Sequence, residues 1–325
     1  MTGSPQRRDP GRRRPLILVV ALALIVVVVA LGFGTDRRAA ASPDDWRIEQ
    51  YREVTFQVPA HWGYGSEPGP DWCGRRKEQP GRKPPYVMLG SATLRLSIPC
   101  RPIPDSLIRD HAAVASADPR SWPEPDPRPD GLYRIQAGFW EAIRTVGSVR
   151  LRAISLDVGL AQQIVDSAAV ADDTAPCRPD HPILTNLEVR PSPAGDVTRL
   201  GRVDRITLCQ YEYEGVRATG VITGAEAQRL IDAVARAPVW NGPVCPAGED
   251  QGAELAVVLR VQSDAGQREL ILRQGSCASP SPIVTGGFDD GRTVRTATSE
   301  TCRAVLVQGL ILGSGSLALF ERCWL

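Results

Sequence analysis

The stretch Leu16–Gly34, LILVVALALIVVVVALGFG, is nineteen residues with no charged and no polar side chain. A run of this length spans the roughly 30 Å hydrocarbon core of a bilayer as a helix. A buried core helix accounts for it poorly, because no polar face is left to meet water. Arg7, Arg8, Arg12, Arg13 and Arg14 precede the run, whereas Asp36, Arg37, Arg38, Asp44, Asp45 and Arg47 follow it. That asymmetry predicts that residues 1–15 stay in the cytoplasm and that the C-terminal bulk is exported. The competing reading is a signal peptide cleaved at Ala39-Ala40-Ala41. Signal-peptide cores are typically about 7–15 residues, shorter than this one, and Arg37 and Arg38 intrude before the alanines. The expectation is therefore an uncleaved transmembrane helix over 16–34, followed by a short polar tether over 35–45.

All eight cysteines lie on the predicted exported side: Cys73, Cys100, Cys177, Cys209, Cys245, Cys277, Cys302 and Cys323. An even number of cysteines there fits disulfides in an oxidising compartment, and no C-x-x-C spacing argues for zinc or redox work. Eight cysteines allow about a hundred pairings, so local structure must guide the choice. Cys73–Cys100 and Cys245–Cys277 each set a loop cysteine before a strand that delivers the second. Cys302–Cys323 would staple the tail to the last helix, which leaves Cys177–Cys209. Each closed loop would remove unfolded-state entropy worth roughly 2–4 kcal/mol.

Five arginines and one aspartate in the first fifteen residues outweigh the whole net charge of +1, leaving the remainder near −3. With no basic run in that remainder, nucleic-acid binding is unsupported. About 280 residues follow the tether, comfortable for two domains. We expect an α+β protein: two small disulfide-stabilised sheet-plus-helix domains over 46–176 and 177–325. The boundary is placed near Asp172–Pro182, where Asp, Pro and Cys break the periodic pattern.

In the first domain Val54, Phe56 and Val58 alternate with Thr55 and Gln57 as a half-buried strand. Further strands are expected near Ala92–Ile98, Leu132–Gln136, Trp140–Val146 and Val149–Val158, with a short helix over Ser106–Ala115. Leu160, Ile164, Val165 and Ala168 form an amphipathic helical stripe. In the second domain Thr207, Cys209, Tyr211 and Tyr213 share one strand face, and Glu214-Gly215 turns the chain. Thr223-Gly-Ala-Glu226 reads as a capping box for a helix carrying Ala227, Leu230, Ile231 and Val234. Ser263–Gln267 reads as a hairpin turn between Leu255–Val261 and Glu269–Arg273. A last helix starts near Ser299, and Leu317–Leu325 adds a strand. AQQIVDSAA (161–169) faintly echoes AQRLIDAVA (227–235), as two ordinary alanine-rich helices would.

Of 38 basic residues only Lys77 and Lys83 are lysine, and asparagine occurs only at 186 and 241, the imprint of a GC-rich genome. Trp46-Arg47, Val58-Pro59, Trp62-Gly63-Tyr64-Gly65 and Trp72-Cys73 resemble the N-terminal half of uncharacterised, membrane-anchored or secreted actinobacterial proteins. Cys177 with His181-Pro182, Cys209-x-Tyr211, the helix over 224–236, Cys245 and Cys277 resemble their C-terminal half. The resemblance covers most of residues 46–310 and implies an exported two-part ectodomain with no established activity. The tail bearing Cys323 extends beyond that pattern.

Catalytic signals are sparse. Only His61, His111 and His181 are present, and a serine or cysteine hydrolase needs a histidine beside its nucleophile. No G-x-S-x-G elbow occurs, and Gly313-Ser-Gly-Ser316 reads as a turn. H-E-x-x-H, Walker A and a placed G-x-G-x-x-G are absent. His181 lies four residues from Cys177, but a cysteine in an oxidising compartment is ordinarily disulfide-bonded, so no metal is expected. Asp118, Glu124, Asp126 and Asp130 fit no calcium loop, and Asp289-Asp290-Gly291 is a turn signal. No cofactor is implied. Trp62, Tyr64 and Trp72 are the candidate ligand-binding residues, flat rings able to stack on the sugars of a wall polymer, with loops on rigid scaffolds the usual place for such surfaces. The plainer reading packs Trp72 on its neighbour's disulfide and closes the core with Trp62.

The sequence thus points to a single-pass membrane protein, N-terminus inside, acting outside as a non-enzymatic cell-envelope module that binds a wall polymer or envelope protein. The alternatives are an extracytoplasmic hydrolase with a dispersed site, or a sensor ectodomain acting through a membrane partner.

Overall fold

The computed structural model describes residues 45–65, 84–90, 108–118, 128–186, 189–193, 196–240, 256–274, 286–306, 309–311 and 323. Among them are fifteen strands in three sheets and three α-helices. This corrects the α+β expectation: the protein is mainly β, and its helices are short additions to the sheets.

In the first sheet, β1 (Trp46–Tyr51) pairs antiparallel with β2 (Val54–Pro59), and β9 (Ala169–Val170) joins the far side of β2. In the second, β3 (Gly63–Tyr64), β4 (Tyr86–Leu89) and β5 (His111–Ser116) run parallel. β8 (Val149–Ser155), β7 (Trp140–Val146) and β6 (Gly131–Arg134) continue that sheet antiparallel from β5. The third is antiparallel throughout. Its order is β11 (Gly215–Thr223), β10 (Val203–Glu212), β12 (Ala256–Ser263), β13 (Gly266–Arg273), β14 (Gly287–Asp289) and β15 (Val294–Thr296).

The helix expected over Ser106–Ala115 is overturned where residues are described. His111–Ser116 is β5, buried at all six positions between β4 and β8. Alanine is the strongest intrinsic helix former, but such preferences are weak and a fully covered central strand overrides them. The hairpins match their turn signals: β10 and β11 join through Tyr213-Glu214, and β12 and β13 through Asp264-Ala265. The expected strands at Ala92–Ile98 and Leu317–Leu325, Cys323 apart, lie outside the described residues, as do the Cys73–Cys100 and Cys245–Cys277 pairings and the run 16–34. Among the described residues no helix is long and apolar enough to cross a membrane.

Helix α1 (Val158–Asp166) is capped by the Asp157 carboxylate, which accepts from Gly159 N at 3.0 Å, and buries Ala161, Ile164 and Val165. Helix α2 (Gly224–Arg236) buries Ala227, Leu230, Ile231, Ala233 and Val234, but Thr223 makes no side-chain cap. Thr223 is still paired with Arg205 in the ladder, so strand runs straight into helix. The capping box forms instead at α3 (Ser299–Val305), between Thr298 and Thr301. Each of α1 and α2 follows a hairpin and packs back on it, and each carries the same local pair: Gln162 donates to Asp166 and Gln228 to Asp232, both at 2.9 Å. The sequence echo therefore has a structural counterpart.

Residues Trp46–Leu325 form one compact unit. A single buried cluster takes Phe56, Trp62 and Leu151 from one side of the expected boundary and Ile206, Leu230 and Leu259 from the other. That cluster therefore continues across the segment 172–182. Strand alternation explains how the third sheet is covered on both faces. Val257, Leu259, Leu270 and Leu272 enter the large cluster, while Val258 and Ile271 enter a smaller one with Cys177, Ile183 and Tyr211.

Two of the expected disulfides are present, Cys177–Cys209 and Cys302–Cys323. Two fully buried glutamines reinforce the same places. Gln50 Nε2 donates to Cys177 O at 2.9 Å, and Gln50 Oε1 accepts from Cys177 N at 3.0 Å. Gln210 clamps Ile311 in the same manner, donating to its carbonyl at 2.6 Å and accepting from its N–H at 3.1 Å. Each side-chain amide imitates a strand neighbour and satisfies backbone groups that no ladder reaches.

Candidate functional site

Of the aromatic residues singled out in the sequence, Trp62 and Tyr64 do not form an open platform. Trp62 is 3% exposed and sits in the large core cluster. The Tyr64 ring lies under the Arg47 guanidinium, 4.7 Å from its centroid, and Gly309 presses on its edge so closely that a Cβ there would come within 2.5 Å. Trp72 lies outside the described residues. Tyr64 instead belongs to a structural network. Its hydroxyl donates to Glu49 Oε1 at 2.7 Å, and Arg47 Nε donates to the same oxygen at 2.6 Å. Burial raises the Glu49 carboxyl above its ordinary value, with Arg47 only partly opposing it. Burial likewise pushes the Tyr64 phenol up.

The histidines are committed elsewhere. His61 is exposed. His111 stacks on Tyr86 at 5.0 Å, with Nδ1 against Arg109 O at 2.8 Å. His181 Nδ1 accepts from Ile183 N at 3.1 Å, which leaves the proton on Nε2, 3.6 Å from Glu269. That pair lies beside Tyr211, whose hydroxyl donates to Arg178 O, and among the described residues no serine, threonine or thiol nucleophile is hydrogen-bonded to it. Cys177 is in its disulfide, so no thiolate faces His181. Asp290 closes the expected turn, accepting from Arg292 N and Thr293 N at 2.9 and 2.7 Å. Asp130 is taken up by Thr145; Glu124 and Asp126 lie outside the described residues.

A different site emerges where the β1–β2 turn meets the β10–β11 hairpin. A cleft of about 450 Å³ opens there. Its floor is set by Arg52, in a two-residue turn closed by the Tyr51–Val54 pair. Arg52 has φ +51°, a conformation that costs a side-chain-bearing residue about 1–2 kcal/mol. Its N–H is held by Val216 O. Gly215 makes that approach possible, since a Cβ there would stand 3.3 Å from Arg52 Cα. Strain held in place by surrounding contacts is a recognised mark of functional positions.

Two guanidiniums share the cleft. Those of Arg52 and Arg217 lie 5.7 and 5.9 Å from the Tyr51 ring centroid, within cation–π range. Arg217 passes over Gly90, where any Cβ would collide with it, and donates to Leu89 O. Its Nε is 3.5 Å from Glu212. Arg52 Nη1 donates to Ser116 Oγ at 3.2 Å, and Nη2 is paired with Glu214. Arg52 Nε is buried and has no hydrogen-bond partner. Tyr213 and Ile311 form an apolar lip, 58% and 43% exposed.

Sequence reading passed over these residues. Arg52 stands at the head of a predicted strand and Glu214 in a predicted turn. The Arg52 partners Ser116 and Glu214 are 64 and 162 residues distant from it, too far for any local pattern to join them. The cleft sets charged groups beside apolar surface. No family model, curated protein or solved structure matches the chain.

Proposed function

We propose that the chain is a non-enzymatic, extracytoplasmic module of the cell envelope, tethered by its arginine-flanked apolar run, that holds a wall component in the Arg52–Arg217 cleft. The observation that carries this reading is the cleft itself: a strained, buried arginine with an unused donor beside an exposed tyrosine. Buried polar groups are ordinarily satisfied, so a buried donor left without a partner beside a cleft calls for a reason. Concave sites with few placed polar groups and apolar walls are the usual form of a ligand site. The envelope setting rests on the anchor reading, the exported cysteines and the resemblance to anchored actinobacterial proteins. The hydrolase alternative is disfavoured by the histidine contacts above.

The test is retention of the detergent-solubilised full-length chain on purified cell wall of the producing host. Tyr213→Ala changes an exposed lip residue and leaves the core alone. Wild type is expected on the wall, with Tyr213→Ala retained at least five-fold less. Equal retention of the two proteins would remove the cleft from the reading, and no retention of wild type would remove the wall.

A further inference from the structure

We infer that the Arg52 edge of the cleft is a receptor for a carboxylate, of the kind carried at a peptide C-terminus, and that Glu214 is its built-in placeholder. This rests on the cleft being the binding surface. Nε and Nη2 form one edge of a guanidinium, the edge that grips a carboxylate through two parallel hydrogen bonds. In Arg52 that edge is half used: Glu214 is paired with Nη2 alone, and Nε is buried without a partner. The remaining nitrogen, Nη1, is turned away to Ser116. The other guanidinium is already spent, with Arg217 bound to Leu89 O and Glu212.

Glu214 is built to leave. Its side chain is 69% exposed and sits in the turn between β10 and β11, whereas Arg52 is fixed by its backbone contact to Val216 and by Ser116. Replacing one carboxylate by another keeps the cleft neutral. A phosphate dianion would have to sit near Glu212 as well as the displaced Glu214, so a monoanion fits better. Beyond the charged edge the walls are Tyr213, Ile311 and Ala115, which suit a short apolar stem. That favours an acylated peptide terminus over a polyhydroxylated sugar acid.

The experiment uses the full-length chain in detergent and fluorescence anisotropy of N-terminally labelled Ala-Ala, as free acid and as C-terminal amide. The acid is expected to bind at least ten-fold tighter than the amide. Glu214→Gln should tighten the acid by three-fold or more and leave the amide unchanged, and Arg52→Lys should erase the preference. Glu214→Gln lies on the surface, so it keeps the test alive if Arg52→Lys fails to fold. Equal binding of acid and amide, or weaker acid binding in Glu214→Gln, would overturn the inference. Competition by glucuronate as strong as by acetyl-Ala-Ala would overturn the peptide assignment. If the Tyr213-dependent wall retention survives while acid and amide bind alike, only the carboxylate receptor fails, and the binding module stands.

Discussion

Replacing Gln50 by leucine should be among the most damaging single changes in the protein, although no catalytic or binding role attaches to it. Gln50 and Cys177 are both fully buried, and the Gln50 amide satisfies both backbone groups of Cys177, at 2.9 and 3.0 Å. Leucine has a similar volume, so little cavity opens. What changes is that one N–H and one C=O lose their partners in the core. Each such group costs about 1–3 kcal/mol, so Gln50→Leu should lose about 2–6 kcal/mol in total. Gln57→Leu is the control: Gln57 is exposed on the neighbouring strand, and surface changes of this kind fall within about 0.5 kcal/mol. Equilibrium urea unfolding of the full-length chain, followed by intrinsic tryptophan fluorescence, measures both. The effect should also couple to the disulfide, because the segment Gln50 grips is the one that Cys209 holds. In a Cys177→Ala/Cys209→Ala background the cost of Gln50→Leu should fall by at least about 1 kcal/mol. A loss below about 1 kcal/mol in the native-disulfide protein, or strict additivity with the disulfide, would refute the clamp as the agent.

The disulfides themselves should differ little. Cys177–Cys209 and Cys302–Cys323 close separations of 32 and 21 residues, which loop entropy converts to about 3.7 and about 3.3 kcal/mol. Serine pairs at the two sites should give unfolding losses within about 1 kcal/mol of each other, and a several-fold disparity would show that native-state contacts dominate. Two glutamates should shift stability with pH in opposite directions. The hydrogen bond from His181 holds Glu269 below its ordinary carboxylate value, and burial opposes it. Its contribution is present above the unfolded value of about 4.5 and is lost as pH falls through the lower folded value. Glu49 is raised by burial. The folded state keeps that proton longer, so the corresponding stability is full below about 4.5 and declines as pH rises toward the folded value. Urea midpoints across pH 3–7 should steepen with pH in Glu49→Gln and flatten in Glu269→Gln relative to wild type. The same change of slope in both would contradict the assignment.

What the sequence made legible was local. Val54–Val58, Trp140–Val146 and the two hairpins of the third sheet carry alternation or a turn residue within ten positions, and they form as read. β1 escaped notice because Glu49 and Gln50 look like surface residues, yet they are 1% and 0% exposed, partnered by Arg47, Tyr64 and Cys177. β5 escaped because HAAVAS reads as helix until β4 and β8 cover it. The role of 172–182 was hidden by the same means: Asp, Pro and Cys there look like a linker, but Cys177 is fully buried and ties that segment to β1 and β10. Of the aromatic triplet, Trp62 took the plainer reading.

The cleft could not have been read from any window, yet its position follows from the clamps. Gln50 fixes β1 two residues before Arg52. Gln210, two residues before Glu212, fixes Ile311 at the opposite lip. In each case a buried amide holds a distant segment while the next residues leave the strand and turn into the cleft. A receptor needs donors held in place by their surroundings. Arg52 and Arg217 are anchored from behind through Val216, Ser116 and Leu89, whereas Glu214 alone among the cleft's charged groups is more than half exposed. High exposure is thus confined to the one charged group that the proposed ligand would replace. That division of buried and exposed charge sets the pair apart from an ordinary surface salt bridge, in which both partners are solvated.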